Sequence, residues 1–243
     1  QLQRRIFETS RSTLADPLEL LGVLETGQNR FSNLEFFAES IESIAAASVA
    51  TGSDARDVAA SLGEFQRQMG VTAKDVPELI GIIAQSAREG SVEMSDIAAS
   101  LSQEIGNFKR TTGAEGIGGA REFLATAQVL GTAGVQGSTV GAFFANVANK
   151  LNNADVRNEF TKQFGDALDP TQFLGRTGGF SDFVRALAAD DRVSKVSLQG
   201  ALGRDQEALK AFGILIDEER KARASGEESP LARLYRVSGG EGN

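Results

Sequence analysis

Between residues 55 and 110, apolar side chains return every three or four positions in three consecutive segments. Val58, Leu62, Phe65 and Met69 make the first stripe. Val76, Leu79, Ile80, Ile83 and Ala87 make the second, and Ile97, Leu101, Ile105 and Phe108 the third. A period near 3.6 puts each set on one face of an α-helix. Nowhere does the chain alternate with period two for long enough to read as a strand. The fold is therefore restricted to helices packed on helices.

Glycines and cap residues cut these stripes apart. Gly70 ends the first as a left-handed C-cap would, and Gly90 ends the second. Thr51-Gly52-Ser53-Asp54 reads as a break followed by a cap, and Ser95-Asp96 as another cap. Upstream, Asp16-Pro17 pairs an N-cap carboxylate with proline at the first helical position. Leu18, Leu21 and Leu24 follow, and Gly27 is expected to stop that helix. Ser32 or Asn33 then caps a helix bearing Leu34, Phe37, Ile41, Ile44 and Ala47. Downstream, residues 111–119 carry four glycines and read as a loop, followed by a helix over about 120–130. Gly131 to Gly137 reads as a second joint. Ser138 caps a helix with Val140, Phe143, Phe144, Val147 and Leu151. The last long helix is expected over 202–223, with Leu209, Phe212 and Ile216 inward. Asp217 with Lys221 and Glu219 with Arg223 are expected as i,i+4 ion pairs at its end.

The expected fold is all-α: a helical bundle or short irregular helical array of about ten helices joined by Gly-rich turns. With 243 residues there is enough chain for a sizeable core. The organisation divides into N-terminal helices over 1–50, a helical core domain over 51–165, a C-terminal helical segment over 166–223 and a flexible tail over 224–243. The chain begins at Gln1 rather than Met, as expected of a piece or processed form of something longer.

Composition removes most chemistry. There is no His and no Cys, so disulfides, thiolate chemistry, the usual zinc sets and His- or Cys-based nucleophilic machinery are excluded. The net charge of −8 and the lack of a basic face argue against specific nucleic-acid binding. No apolar run approaches the roughly 18 residues of a membrane span. Gly116-Ile117-Gly118-Gly119 fails the dinucleotide-binding spacing, because Arg121 stands where the third glycine belongs. Glu39-Ser40 resembles the Glu-Ser pair of lytic transglycosylases, yet the Gly-Leu-Met-Gln type sequence that should follow is missing. The acid groups 217–219 and 227–228 lack the glycine-punctuated loop of a calcium site. No catalytic, cofactor or metal residue is expected, and the chain is not expected to be an enzyme.

What remains are surfaces and joints. Phe36-Phe37 and Phe143-Phe144 are adjacent aromatics on helices, so one ring of each pair points away from the stripe centre. Phe36 and Phe143 are expected to face a partner, and Leu231, Leu234 and Tyr235 form an expected docking patch. Gly90, Gly116, Gly118, Gly119 and Gly131 are expected as hinges between helices.

The order of elements over 52–164 resembles a known family. Gly90-Ser91-Val92-Glu93-Met94-Ser95-Asp96-Ile97-Ala98 is followed by the Gly-rich turn, then by Leu124, Gln128 and Gly131, then by 137–151 and 160–165. This resembles the helical domain of tail tape measure proteins of long-tailed bacteriophages. Ala211-Phe212-Gly213 looks like a later helix of the same family. The resemblance implies a structural virion protein that sets tail length, occupies the tail tube or tip and leaves during DNA ejection. It implies tail tube and tail tip or baseplate hub proteins as partners, tail assembly chaperones, and a homo-oligomer with a trimer among the arrangements. It places the protein in the virion, and in the host cytoplasm during assembly. A fully helical ruler of this length would span about 365 Å; the many breaks point instead to a compact, packed portion. The alternative is a cytoplasmic helical adaptor that binds a partner helix in a groove.

Overall fold

Cap chemistry sets most of the helix boundaries. The computed structural model describes residues 2–88, 102–135, 137–203 and 205–237. Within them lie thirteen α-helices, three short 3-10 turns and no strand. The helices are α1 (Leu2–Thr13), α2 (Pro17–Phe31), α3 (Leu34–Thr51), α4 (Ala55–Met69), α5 (Val76–Arg88), α6 (Ser102–Thr112) and α7 (Gly116–Thr132). They continue as α8 (Gly137–Asn152), α9 (Ala154–Phe164), α10 (Gly179–Ala189), α11 (Lys195–Leu202), α12 (Gln206–Ser225) and α13 (Pro230–Val237). The all-α expectation holds. Gly90, the Ser95-Asp96 cap and the whole 90–98 step lie outside the described residues.

The Asp16 carboxylate accepts the Leu18 amide at 2.8 Å, Asn33 accepts that of Phe36 at 3.2 Å, and Asp54 accepts that of Arg56 at 2.7 Å. Each satisfies one of the orphan N–H groups of a first helical turn. Gly70 closes α4 at a left-handed φ of 76°.

Gly27 does not stop its helix. It sits inside α2, where a Cβ would lie 2.4 Å from the Phe37 ring. The missing side chain is a notch into which α3 packs, and α2 runs on to a left-handed Ser32. Part of the 224–243 segment is also helical. Pro230 opens α13, the Ser229 hydroxyl accepts the Ala232 amide at 3.1 Å, and Leu231 is buried. A proline at the first position behind a serine cap is enough to nucleate this turn once Leu231 has a core to enter.

α2 packs on α3 and α4, and α1 lies across α3. α4 passes to α6 and α7, α6 pairs with α8, α9 with α11, and α10 with α12. α7 occupies the middle, touching α4, α5, α6, α8, α10, α12 and α13. Residues 119–130 of α7 are accordingly buried on every side except at Arg121, the signature of a central helix.

One continuous cluster of buried apolar residues runs from Ile6 to Leu231, so segments set apart in sequence share a core. Its spine is phenylalanine. Phe65 meets Phe123 with ring centroids 6.0 Å apart, Phe123 meets Phe108 at 5.6 Å, and Phe108 meets Phe180 at 5.7 Å. From Phe180 the contacts continue to Phe212 at 6.2 Å, to Phe183 at 6.2 Å and to Phe160 at 5.8 Å. Most of these contacts are edge-on or tilted, the arrangement favoured by the ring quadrupole.

Candidate functional site

The Gly-rich turn between α6 and α7 is the densest group of residues singled out by sequence. Thr112 ends α6 with its hydroxyl donating to the Phe108 carbonyl at 2.8 Å and accepting the Ala114 amide at 3.1 Å. Gly113 then turns with φ of 69°. A Cβ on Gly113 would meet the Gly175 backbone at 2.6 Å, so only glycine allows the two segments to touch here. The contact is bonded as well as close: the Gly175 amide donates to the Thr112 carbonyl at 2.7 Å. The Glu115 amide donates to the Thr177 hydroxyl at 3.2 Å, and the Glu115 carboxylate reaches back to Lys109 at 2.8 Å.

Glu122, two turns further along α7, completes the junction. Its carboxylate is fully buried. One oxygen accepts the Gly178 amide at 2.9 Å and the other the Ser181 amide at 2.8 Å. These are N–H groups at the start of α10, where the helix has no side-chain cap of its own. A carboxylate there meets both the orphan donors and the positive end of the helix dipole. Burial nevertheless pushes the Glu122 carboxyl above its ordinary range, and the hydrogen bonds from Ser181, Gly178 and Phe180 pull the other way.

Two other carboxylates are buried among the described residues. Glu64 is held by Arg30 at 3.0 Å and Arg67 at 2.6 Å. Glu219 accepts the Ser229 hydroxyl, while Lys221 pairs with Glu218 at 2.6 Å rather than resting on the expected Asp217. Each buried acid thus ties two elements together. Glu39 is exposed on α3.

The expected hinge and partner residues fall as follows. Gly116, with φ of 61°, is the first residue of α7, Gly118 and Gly119 lie in its first turn, and Gly131 lies in its last. A Cβ on Gly119 would press on the Ala114 carbonyl carbon at 2.8 Å. The bend after α7 is made by Gly134, φ 83°, whose neighbour Val135 donates back to Leu130 at 3.0 Å. Phe36 and Phe143 are both buried: Phe36 packs on Phe37 at 5.1 Å, and Phe143 on Phe144 at 5.3 Å and Phe212 at 6.5 Å. Tyr235 lies on α13, and its side chain is outside the described residues.

Sequence reasoning missed Glu122. The available signal was scarcity: α7 contains only two charged residues, Arg121 and Glu122. A charge in a helix otherwise made of Gly, Ala, Thr and large apolar residues must be partnered or exposed. Both are partnered here, Arg121 by Glu78.

The comparisons with known proteins agree with this architecture in extent. The model of the phage-related minor tail protein family matches residues 32–218, from the start of α3 through most of α12. No curated protein and no solved structure matched.

Proposed function

The chain belongs to the phage-related minor tail protein family, and from that premise we propose that it is part of a tape measure protein. Membership makes it a structural protein of a phage tail. The finer reading is that it contributes to setting tail length, occupies the tail tube or tip, and is released when the genome is ejected. Its partners in this reading are tail tube and tip proteins, with chaperones during assembly in the host cytoplasm, and it acts in more than one copy without enzymatic activity.

The observation that carries the reading is the coincidence of the family match with the all-α core. The matched residues 32–218 hold every helix from α3 to α11 and most of α12. They pack side by side around α7 rather than end to end. That supports a compact portion of a tape measure protein over the extended ruler, which would need about 1.5 Å of length from each residue.

Tail length after in-frame deletion of residues 52–151 in the source phage, measured by electron microscopy, tests the proposal. Absent or malformed tails are expected for a packed assembly portion. Shortening by roughly 150 Å would make the segment part of the ruler itself. Normal, infectious particles would overturn the tape measure reading and favour the adaptor. Threading out of a tube also asks for helices that unpack at low cost, and a melting midpoint above about 90 °C would argue against release.

A further inference from the structure

The groove between α11 and α12 holds room that no described residue of the chain fills. Val193 and Leu198 form one wall. Leu209, Gly213 and Ile216, spaced by four and three on one face of α12, form the other. Between them lies a cavity of about 260 Å³. Gly213 stands well inside a 20-residue helix, where alanine would be the more stable choice. A Cβ added there meets nothing within 4 Å among the described residues, whereas Gly27 makes way for Phe37 and Gly113 for Gly175. Packing within the described chain therefore makes no use of the bare backbone at Gly213, which opens on the groove.

The charges that line the groove are not balanced. Lys195 and Lys210 are exposed, and neither ammonium group has a hydrogen-bond or ion-pair partner among the described residues. Arg220 is committed to the chain: it donates to the carbonyls of Ala188 at 3.1 Å, Asp190 at 3.0 Å and Val193 at 2.7 Å. Asp217 is the one carboxylate of the lining, and Lys221, one turn on, lies close enough to feel its charge. On a chain of net charge −8, this groove offers an apolar floor beside two unpaired cations.

Size and charge select the occupant. A drug-sized ligand usually fills about 300–1,000 Å³, more than this groove holds, whereas a few side chains of a helix would fill it. The lined face of α12, from Gln206 to Arg220, runs about 21 Å, or four turns, and glycine lets a second backbone come close. Carboxylates complement the free lysines. We propose that the groove receives an acidic amphipathic helix of another protein, its apolar residues seated over Gly213 and its Asp or Glu side chains reaching Lys195 and Lys210. This deepens the partner part of the tail reading, on which it rests only in drawing that helix from a second tail protein.

A fluorescein-labelled synthetic helix of about sixteen residues, with leucines three and four apart between flanking glutamates, probes the full chain by fluorescence anisotropy. Saturable binding with a Kd of about 10–100 μM is expected. Gly213→Leu fills the groove and is expected to weaken binding at least about tenfold with unchanged far-UV circular dichroism, since the position is open. Lys195→Glu with Lys210→Glu is expected to lose this peptide and to take up one carrying lysines in place of the glutamates. Absence of saturable binding overturns the proposal, as does binding that Gly213→Leu leaves unchanged, or a parent chain that takes the lysine peptide equally well. Sedimentation equilibrium of the chain alone checks the other occupant: self-association that Gly213→Leu abolishes would give the groove to a second copy and overturn the assignment to another protein. None of these readouts needs a phage particle, so their failure leaves the tail-length experiment standing.

Discussion

Glu122 of α7 accepts the Ser181 amide of α10 at 2.8 Å, across 59 positions of sequence. The bond places a full carboxylate where a helix would ordinarily carry a serine or aspartate cap of its own. It also closes a short polar circuit. Thr112 binds Gly175, Glu115 binds Thr177, and Glu122 binds Gly178 and Ser181. The Gly-rich turn is thereby fastened along its length to the segment before α10. Glycine serves close approach at this turn, at Gly113 against Gly175 and at Gly119 against Ala114.

Replacing Glu122 by glutamine measures that fastening. Glutamine matches the shape but offers one acceptor oxygen and one donor group. Either the Gly178 or the Ser181 amide then faces an N–H and is left buried without a partner. The expected loss is about 1–3 kcal/mol, read as a lower urea midpoint with an unchanged slope. A midpoint equal to that of the parent chain would mean that water or local rearrangement replaces the bond.

The same residue gives a pH dependence with a definite sign. Burial raises the Glu122 carboxyl in the folded chain above its ordinary value, so the folded state holds the proton more tightly than the unfolded one. Stability from this group is full below the ordinary carboxyl value of about 4.3 and is lost as pH rises through the raised folded value. Glu104 is shifted in the same direction by burial and remains in the glutamine variant. The stability difference between parent and Glu122→Gln should therefore fall across that window as pH rises. A flat difference would show that the hydrogen bonds offset burial completely.

Two glycines in helices should respond oppositely to alanine. Gly81 lies in α5 with nothing among the described residues within 4 Å of a Cβ added there, so Gly81→Ala should stabilise by about 0.5–1 kcal/mol through helix propensity. Gly27 lies in α2 against Phe37, whose own Cβ would be 3.0 Å from the new methyl. Overpacking there should outweigh the propensity gain and cost about 1–3 kcal/mol. Thermal melts of the two variants check the pair, and the same sign for both would refute the packing reading of Gly27.

What was legible in the sequence is what depends on local chemistry. Asp16, Asn33 and Asp54 could be read as caps because an N-cap acts within its own turn, and Gly70 could be read as a terminator for the same reason. Gly27 and Gly131 resembled terminators too, yet both lie inside helices. Nothing local distinguishes a glycine that ends a helix from one that admits a neighbour's ring. Glu122 was hidden for a related reason: its partners lie some sixty residues away, and only the packing of α7 against α10 brings them together.

Phe36 and Phe143 offer the sharpest test of how adjacent aromatics divide between core and surface. Helical spacing alone points one ring of each pair away from the stripe, because neighbours on a helix diverge by about 100°. That argument assumes a single buried face. α3 is instead flanked by α1, α2, α4 and α5, and α8 by α6, α7, α9 and α12, so both rings of each pair find cover. Phe143→Ala should then cost about 3–5 kcal/mol, the range for a buried ring whose neighbours close only part of the cavity. Phe7→Ala, at an exposed ring, should change the stability of the monomer by less than about 0.5 kcal/mol. Urea unfolding of both variants at low micromolar concentration, where self-association is least, separates the cases. A Phe143 variant as stable as the parent would return that ring to the surface and make it a candidate contact for another tail protein.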